Sequence, residues 1–200
     1  EARRLFRETD FAIVADGGFK SFWELGYMLR GLEQMLMDVV LEPDFVTALL
    51  DKLLEINLVA TGRFLDAVGP YIQVFRTGDD LASQEGPLMS PAAFRSLIKP
   101  RYKQYFDFVR SRTDAKIFFH SCGNVVEFID DLVDCGVDIL NPVQGHGAYA
   151  RDFPLFGGLD IWKAQPAITE ALNKAGRLFA TDTLVHSYPH CWRHKSPVIY

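Results

Sequence analysis

Apolar and polar positions change period repeatedly along the chain, and each change marks an element. Residues 11–15 form a continuous apolar run stopped by Asp16-Gly17-Gly18, which predicts a buried strand ending in a loop. From Ser21 the period becomes helical. Phe22, Leu25, Met28, Leu29, Leu32, Met35 and Leu36 share one face, and Ser21 with Glu24 three positions later is a capping-box signal. Pro43 sits where a first helical turn tolerates it, and opens a long amphipathic helix ending at Gly69. Residues 71–75 predict a strand, and the loop from Arg76 to Pro87 that follows is long enough for function. Ser90-Pro91 opens a helix over residues 92 to about 113, interrupted or kinked at Pro100. A strand over 116–119, a helix over 125–135 capped by Gly136, and a strand within 136–144 follow. Residues 153–160 predict a further strand and loop.

The rhythm of strand, loop, helix is that of parallel βα units. The strands are almost continuously apolar, which predicts a sheet covered on both faces. Polar residues fall just after the strands: Asp16, Asp79, Asp80, His120, Cys122, Asn141 and Asp160. Both a βα barrel and an open doubly wound sheet build sites at those strand ends, and rhythm alone does not separate them. From Trp162 the pattern changes, with one helix predicted over 167–175. The chain therefore divides into a βα region, 1–161, and an atypical tail, 162–200.

Composition narrows the function classes. With 200 residues, 48% apolar and 24% charged, the chain can bury one core. Its net charge of −5 argues against nucleic acid or an anionic membrane surface as partner. No stretch reaches the roughly 20 apolar residues of a membrane span. The first ten residues are charged and lack the apolar centre of a signal peptide, and the missing initiator Met predicts that the natural chain begins earlier. Three cysteines at irregular spacing make no disulfide framework, which points to a reducing, cytoplasmic compartment.

Candidate chemistry gathers at three places. His120 and Cys122 are two apart at a strand end, so imidazole and thiol point to one side, as two zinc ligands do. The positive start of the following helix is expected to lower the thiol's pKa. The competing readings are a buried Cys beside a hydrogen-bonded His, or a nucleophile with its base. Asp79 and Asp80 can bind a cation or orient a substrate; alternatively one caps backbone amides and the other is solvated. His186, His190, Cys191 and His194 would offer ligands if helical, but Pro189 favours an irregular tail. Tyr71, Tyr102 and Tyr105 read as core, and Lys99 and Arg101 as a solvated helix face.

Several stretches together carry a resemblance: "GDDL", the "SP" to "IKPRYK" helix, "HSCG", "GVDILNPVQ" and "LFGGLDI". From about Phe6 to Ile161 the chain resembles the uroporphyrinogen decarboxylase superfamily. That resemblance implies a partial (β/α)8 TIM barrel, truncated at the N-terminus and atypical at its C-terminus. The superfamily's zinc-dependent methyltransferases move a methyl group from a corrinoid protein to a thiol. His120 and Cys122 match their H-x-C metal motif, with Asp79 and Asp80 lining the pocket as catalytic residues. Their third zinc ligand is a downstream Cys, here Cys191. The alternatives are a cofactor-free porphyrinogen decarboxylase, whose arginine-bearing N-terminal motif this chain lacks, and a barrel fragment without activity.

Overall fold

The computed structural model describes residues 1–16 and 21–141, together with Glu170 and Lys174. Two compact units divide the chain, Glu1–Tyr149 and Ala150–Tyr200. In the first unit the order is α1 (Ala2–Glu8), β1 (Val14–Asp16), α2 (Trp23–Arg30), α3 (Leu32–Leu41), α4 (Pro43–Val68), β2 (Val74–Gly78), α5 (Pro91–Ala93), α6 (Lys99–Arg110), β3 (Lys116–His120), α7 (Ile129–Cys135) and β4 (Ile139–Asn141). The expected strand over 153–160 and the histidine-rich cluster around Cys191 lie outside the described residues, as does most of the expected 167–175 helix. Its Glu170 and Lys174 are helical and form an ion pair at 2.6 Å.

All four strands are parallel, in the order β1-β2-β3-β4. That sequential order separates the two architectures the rhythm left open. A doubly wound sheet reverses its strand order at a switch point, and the described strands do not reverse. They are a run of neighbouring barrel strands with helical crossovers, so the expected partial (β/α)8 barrel is the fold.

The sheet is not covered evenly. On one face Phe75, Thr77, Ile117 and Phe119 are buried, while Arg76 on the other face is exposed and Phe118 only half-buried. The buried face meets α6 through aromatic rings. Tyr102 lies edge-on to Phe119 at 5.2 Å, Phe106 does so at 6.0 Å, and Tyr105 is tilted against Phe75 at 6.4 Å. Such pairs add about 0.5–1.5 kcal/mol each beyond simple burial. The expected core role of Tyr102 and Tyr105 is thus observed, and Tyr71 is half-buried.

Local chemistry adjusts several expected elements. The single helix expected after Ser21 is two helices, because Gly31 adopts φ 87° and ψ 138° between α2 and α3. Buried Asp38 of α3 then accepts from Arg30 at 2.6 Å and Gln34 at 2.7 Å, tying the halves together. The capping box does not form either: Ser21 Oγ pairs with Thr77 Oγ1 at 3.0 Å instead. At Pro100 the expected interruption takes the form of a π-helical segment, Phe94–Ile98, with Lys99 N–H donating to the Phe94 carbonyl five residues back. Proline lacks the N–H that a regular helix would use there, and the wider turn absorbs the mismatch. Arg101 is buried rather than solvated. It donates to the Leu97 and Thr47 carbonyls and pairs with Asp51, which clamps α6 to α4. The charged N-terminal segment forms α1, which buries nothing and which the apolar pattern did not signal.

Candidate metal centre

Two parallel strands deliver the candidate residues to one end of the sheet. Gly78, His120 and Asn141 stand side by side in register at the C-terminal ends of β2, β3 and β4. Gly78 lets the strands meet there. A Cβ at that position would come within 2.4 Å of the His120 carbonyl oxygen. Just beyond this row, His120 Nε2 and Cys122 Sγ are 3.3 Å apart, and His120 Nε2 and Asp80 Oδ1 are 3.9 Å apart. One ligand atom from each of Asp80, His120 and Cys122 lies within 4.8 Å of the others, and this is the group of that kind among the described residues. The structure therefore brings three of the residues singled out in the sequence to one point. Cys191 lies outside the described residues.

The donor set fits zinc. Tetrahedral ligation with metal–nitrogen near 2.0–2.1 Å and metal–sulfur near 2.3 Å places nitrogen and sulfur about 3.6 Å apart. The His120–Cys122 separation is already close to that value without rearrangement. Nitrogen, sulfur and carboxylate oxygen are all established zinc donors.

The turn carrying Cys122 is held by the loop that carries Asp80. Asp79 N–H donates to the His120 carbonyl at 3.0 Å, and Cys122 N–H donates to Asp80 Oδ1 at 2.8 Å. Leu81 N–H donates to Ser121 Oγ at 3.0 Å, and Asn124 N–H to the Ser83 carbonyl at 2.8 Å. Gly123 has φ 87°, and a Cβ there would meet the Ala82 carbonyl oxygen at 2.2 Å. Only glycine satisfies both the left-handed backbone and the close approach. These contacts cross between sequence motifs roughly 40 positions apart, so neither motif by itself reveals them.

The two aspartates have different surroundings. Asp79 is fully buried and accepts from Trp23 N–H at 3.1 Å, Glu24 N–H at 2.9 Å and Tyr102 Oη–H at 2.6 Å. It thus caps α2 from the loop after β2, which is why Ser21 is free to pair elsewhere. Burial pushes its carboxyl up to about 7, against the three donors that favour the ionised form. Asp80 is half-buried and faces His120 and Cys122.

The Cys122 thiol is raised above its ordinary value, first by burial and then by the neighbouring Asp80 and Glu24 carboxylates. This corrects the expectation of a thiol acidified by a helix start. Gly123 leads into a short 3-10 turn, Val126–Phe128, before α7 begins, and the nearby charges are negative. A thiol in such surroundings gives up its proton to a bound cation.

Parallel βα units with polar residues gathered at the strand ends define an α/β domain of barrel type. The chain belongs to the uroporphyrinogen decarboxylase (URO-D) family, whose profile matches residues 5–151. The methyltransferase from Methanosarcina mazei has a similar structure, with a TM-score of 0.54 at 24% identity, covering 68% of this chain and 37% of that one. This likeness establishes the shared fold. Among curated sequences, the isoleucine–tRNA ligase of Burkholderia lata is 37% identical over 175 residues, covering 80% of this chain and 18% of the ligase. That of Aromatoleum aromaticum is 53% identical over 78 residues, 36% of this chain and 8% of the ligase. The chain thus spans less than a fifth of the length of these relatives. Among the described residues no helix is long and apolar enough to cross a membrane.

Proposed function

We propose that this chain carries a zinc-dependent methyltransferase site, at which a methyl group passes from a corrinoid on a partner protein to a small-molecule thiol. The observation that carries the reading is the convergence of His120 Nε2, Cys122 Sγ and Asp80 Oδ1 at the strand ends. His120, Cys122 and Asp80 would hold the zinc. Asp79 supports them by fixing the β2 loop against α2 and against the His120 carbonyl. Bound zinc would supply the positive charge that keeps a thiol as thiolate at neutral pH. The negative surroundings that keep the Cys122 thiol protonated favour a cation at the same point. The similarity in structure to the methyltransferase from Methanosarcina mazei agrees with this branch of the family. The ligase matches cover too little of the ligase to bring aminoacylation with them.

Metal analysis of purified protein tests the reading. The wild-type chain is expected to hold about one zinc per chain, and Cys122→Ser to lose most of it, because one of three protein donors is removed. Asp80→Asn should weaken binding, whereas Cys191→Ser should not if Asp80 occupies the third position. Wild-type zinc content in Cys122→Ser would sink the ligand assignment, and a wild-type protein that takes up no zinc would restore metal-free porphyrinogen decarboxylation as the better reading.

A further inference from the structure

The His120 imidazole is oriented by a residue on the next strand. Asn141 ends β4 at the register position opposite His120, and its Oδ1 lies 2.9 Å from His120 Nδ1. The other ring nitrogen, Nε2, is the one that faces Cys122 Sγ and Asp80 Oδ1. A neutral imidazole carries a single proton, on one nitrogen or the other. With the proton on Nε2, an N–H would point at the cluster and no lone pair would be available there. With the proton on Nδ1, the N–H is donated to Asn141 and the Nε2 lone pair faces both partners. An amide oxygen only accepts, so the Asn141 contact selects the second state. The backbone keeps Asn141 in place: its carbonyl accepts the Ser121 N–H at 2.9 Å.

We propose that Asn141 is a positioning residue: by accepting the Nδ1–H of His120, it aims the Nε2 lone pair at the point shared by Cys122 Sγ and Asp80 Oδ1. The link to metal rests on the reading above, but the tautomer does not depend on it. Partners of this kind are worth roughly 10- to 100-fold in metal affinity.

The tautomer is read directly from long-range proton–nitrogen correlation spectra of the metal-free, full-length protein, with His120 assigned by its loss in His120→Gln. The wild type should show the Nδ1–H pattern. Asn141→Leu, which keeps the bulk and removes the acceptor, should shift His120 towards Nε2–H and weaken zinc binding by about 10- to 100-fold. Asn141→Asp, which keeps an acceptor, should retain the wild-type pattern and the sulfur-to-cobalt absorption band of the cobalt-loaded protein. An Nε2–H pattern in the wild type overturns the proposal. So does a folded Asn141→Leu protein with wild-type pattern and affinity. If the Leu and Asp variants lose affinity equally and both melt earlier, Asn141 is only scaffold, and the proposal fails. A wild type that shows the Nδ1–H pattern but takes up no zinc supports the pairing and refutes the metal-centre reading instead.

Discussion

Ser121 lies between the two ligand candidates, yet its side chain faces the other way. It is fully buried, and its hydroxyl accepts the Leu81 N–H at 3.0 Å. Alternation along an extended segment makes this arrangement possible: His120 and Cys122 point to the cluster while Ser121 points into the loop packing. Gly123 completes the turn under tighter constraint. Gly123→Ala must accept a positive φ and also displace the Ala82 carbonyl, whose oxygen would lie 2.2 Å from the new Cβ. A single unfavourable backbone conformation costs about 1–3 kcal/mol. The clash adds to this, so urea denaturation should show a loss of about 2 kcal/mol or more, together with reduced zinc uptake. Asn, which tolerates left-handed backbone well, should not rescue the variant, because the obstacle is the Cβ itself.

At the scale of elements, glycine and proline decide where helices stop. Gly31 has φ 87° but open space around its missing side chain. Gly31→Ala should therefore cost about 1–3 kcal/mol from backbone strain alone, without the added clash that Gly123→Ala meets. The same urea curves check it. The α2–α3 break was hidden in the sequence because Leu25, Met28, Leu29 and Leu32 continue one helical period across Gly31. The Gly31 backbone makes the break, and the Arg30–Asp38 pair ties the two helices across it. By contrast, the start of α4 was legible, since Pro43 acts through local backbone geometry. Gly69 at its close stays right-handed, and is needed because a Cβ there would meet the Arg112 carbonyl oxygen at 2.9 Å.

At the scale of the molecule, an ion network joins successive crossover segments. Arg95 of the π-helical segment and Lys99 of α6 both bond Asp131 of α7 at 2.8 Å. The Asp131 side chain is only 7% exposed, and Lys99 also reaches Asp134 at 3.1 Å. Burial works to raise the Asp131 carboxyl, but the hydrogen bonds from Lys99 and Arg95 outweigh it and hold the group below its ordinary value. A lowered folded value means the stabilisation is present above the unfolded value near 3.8 and is lost as pH falls through the folded one. Thermal melts from about pH 7 downward should show Asp131→Asn less stable than wild type near neutrality. The two curves should converge in acid, once both side chains are uncharged. A constant gap across that range would show that the network contributes through shape rather than charge.

The sequence by itself determined most of the strands and helices, the parallel βα character, the membership of a barrel family and the meeting of His120 with Cys122. The elements and the meeting follow from periodicity, from glycine and proline punctuation, or from two-residue spacing, all of which act within a few residues; the family rests on the resemblance carried by several motifs together. It did not determine the strand order, the cap that Asp79 places on α2, the half-open face of the sheet, the raised Cys122 thiol or the contact from Asn141. These depend on register between strands that are distant in the chain, and on the burial and charge that register creates. Only tertiary structure sets Gly78, His120 and Asn141 in one row. That row turns a two-residue motif into a three-donor cluster with an oriented imidazole.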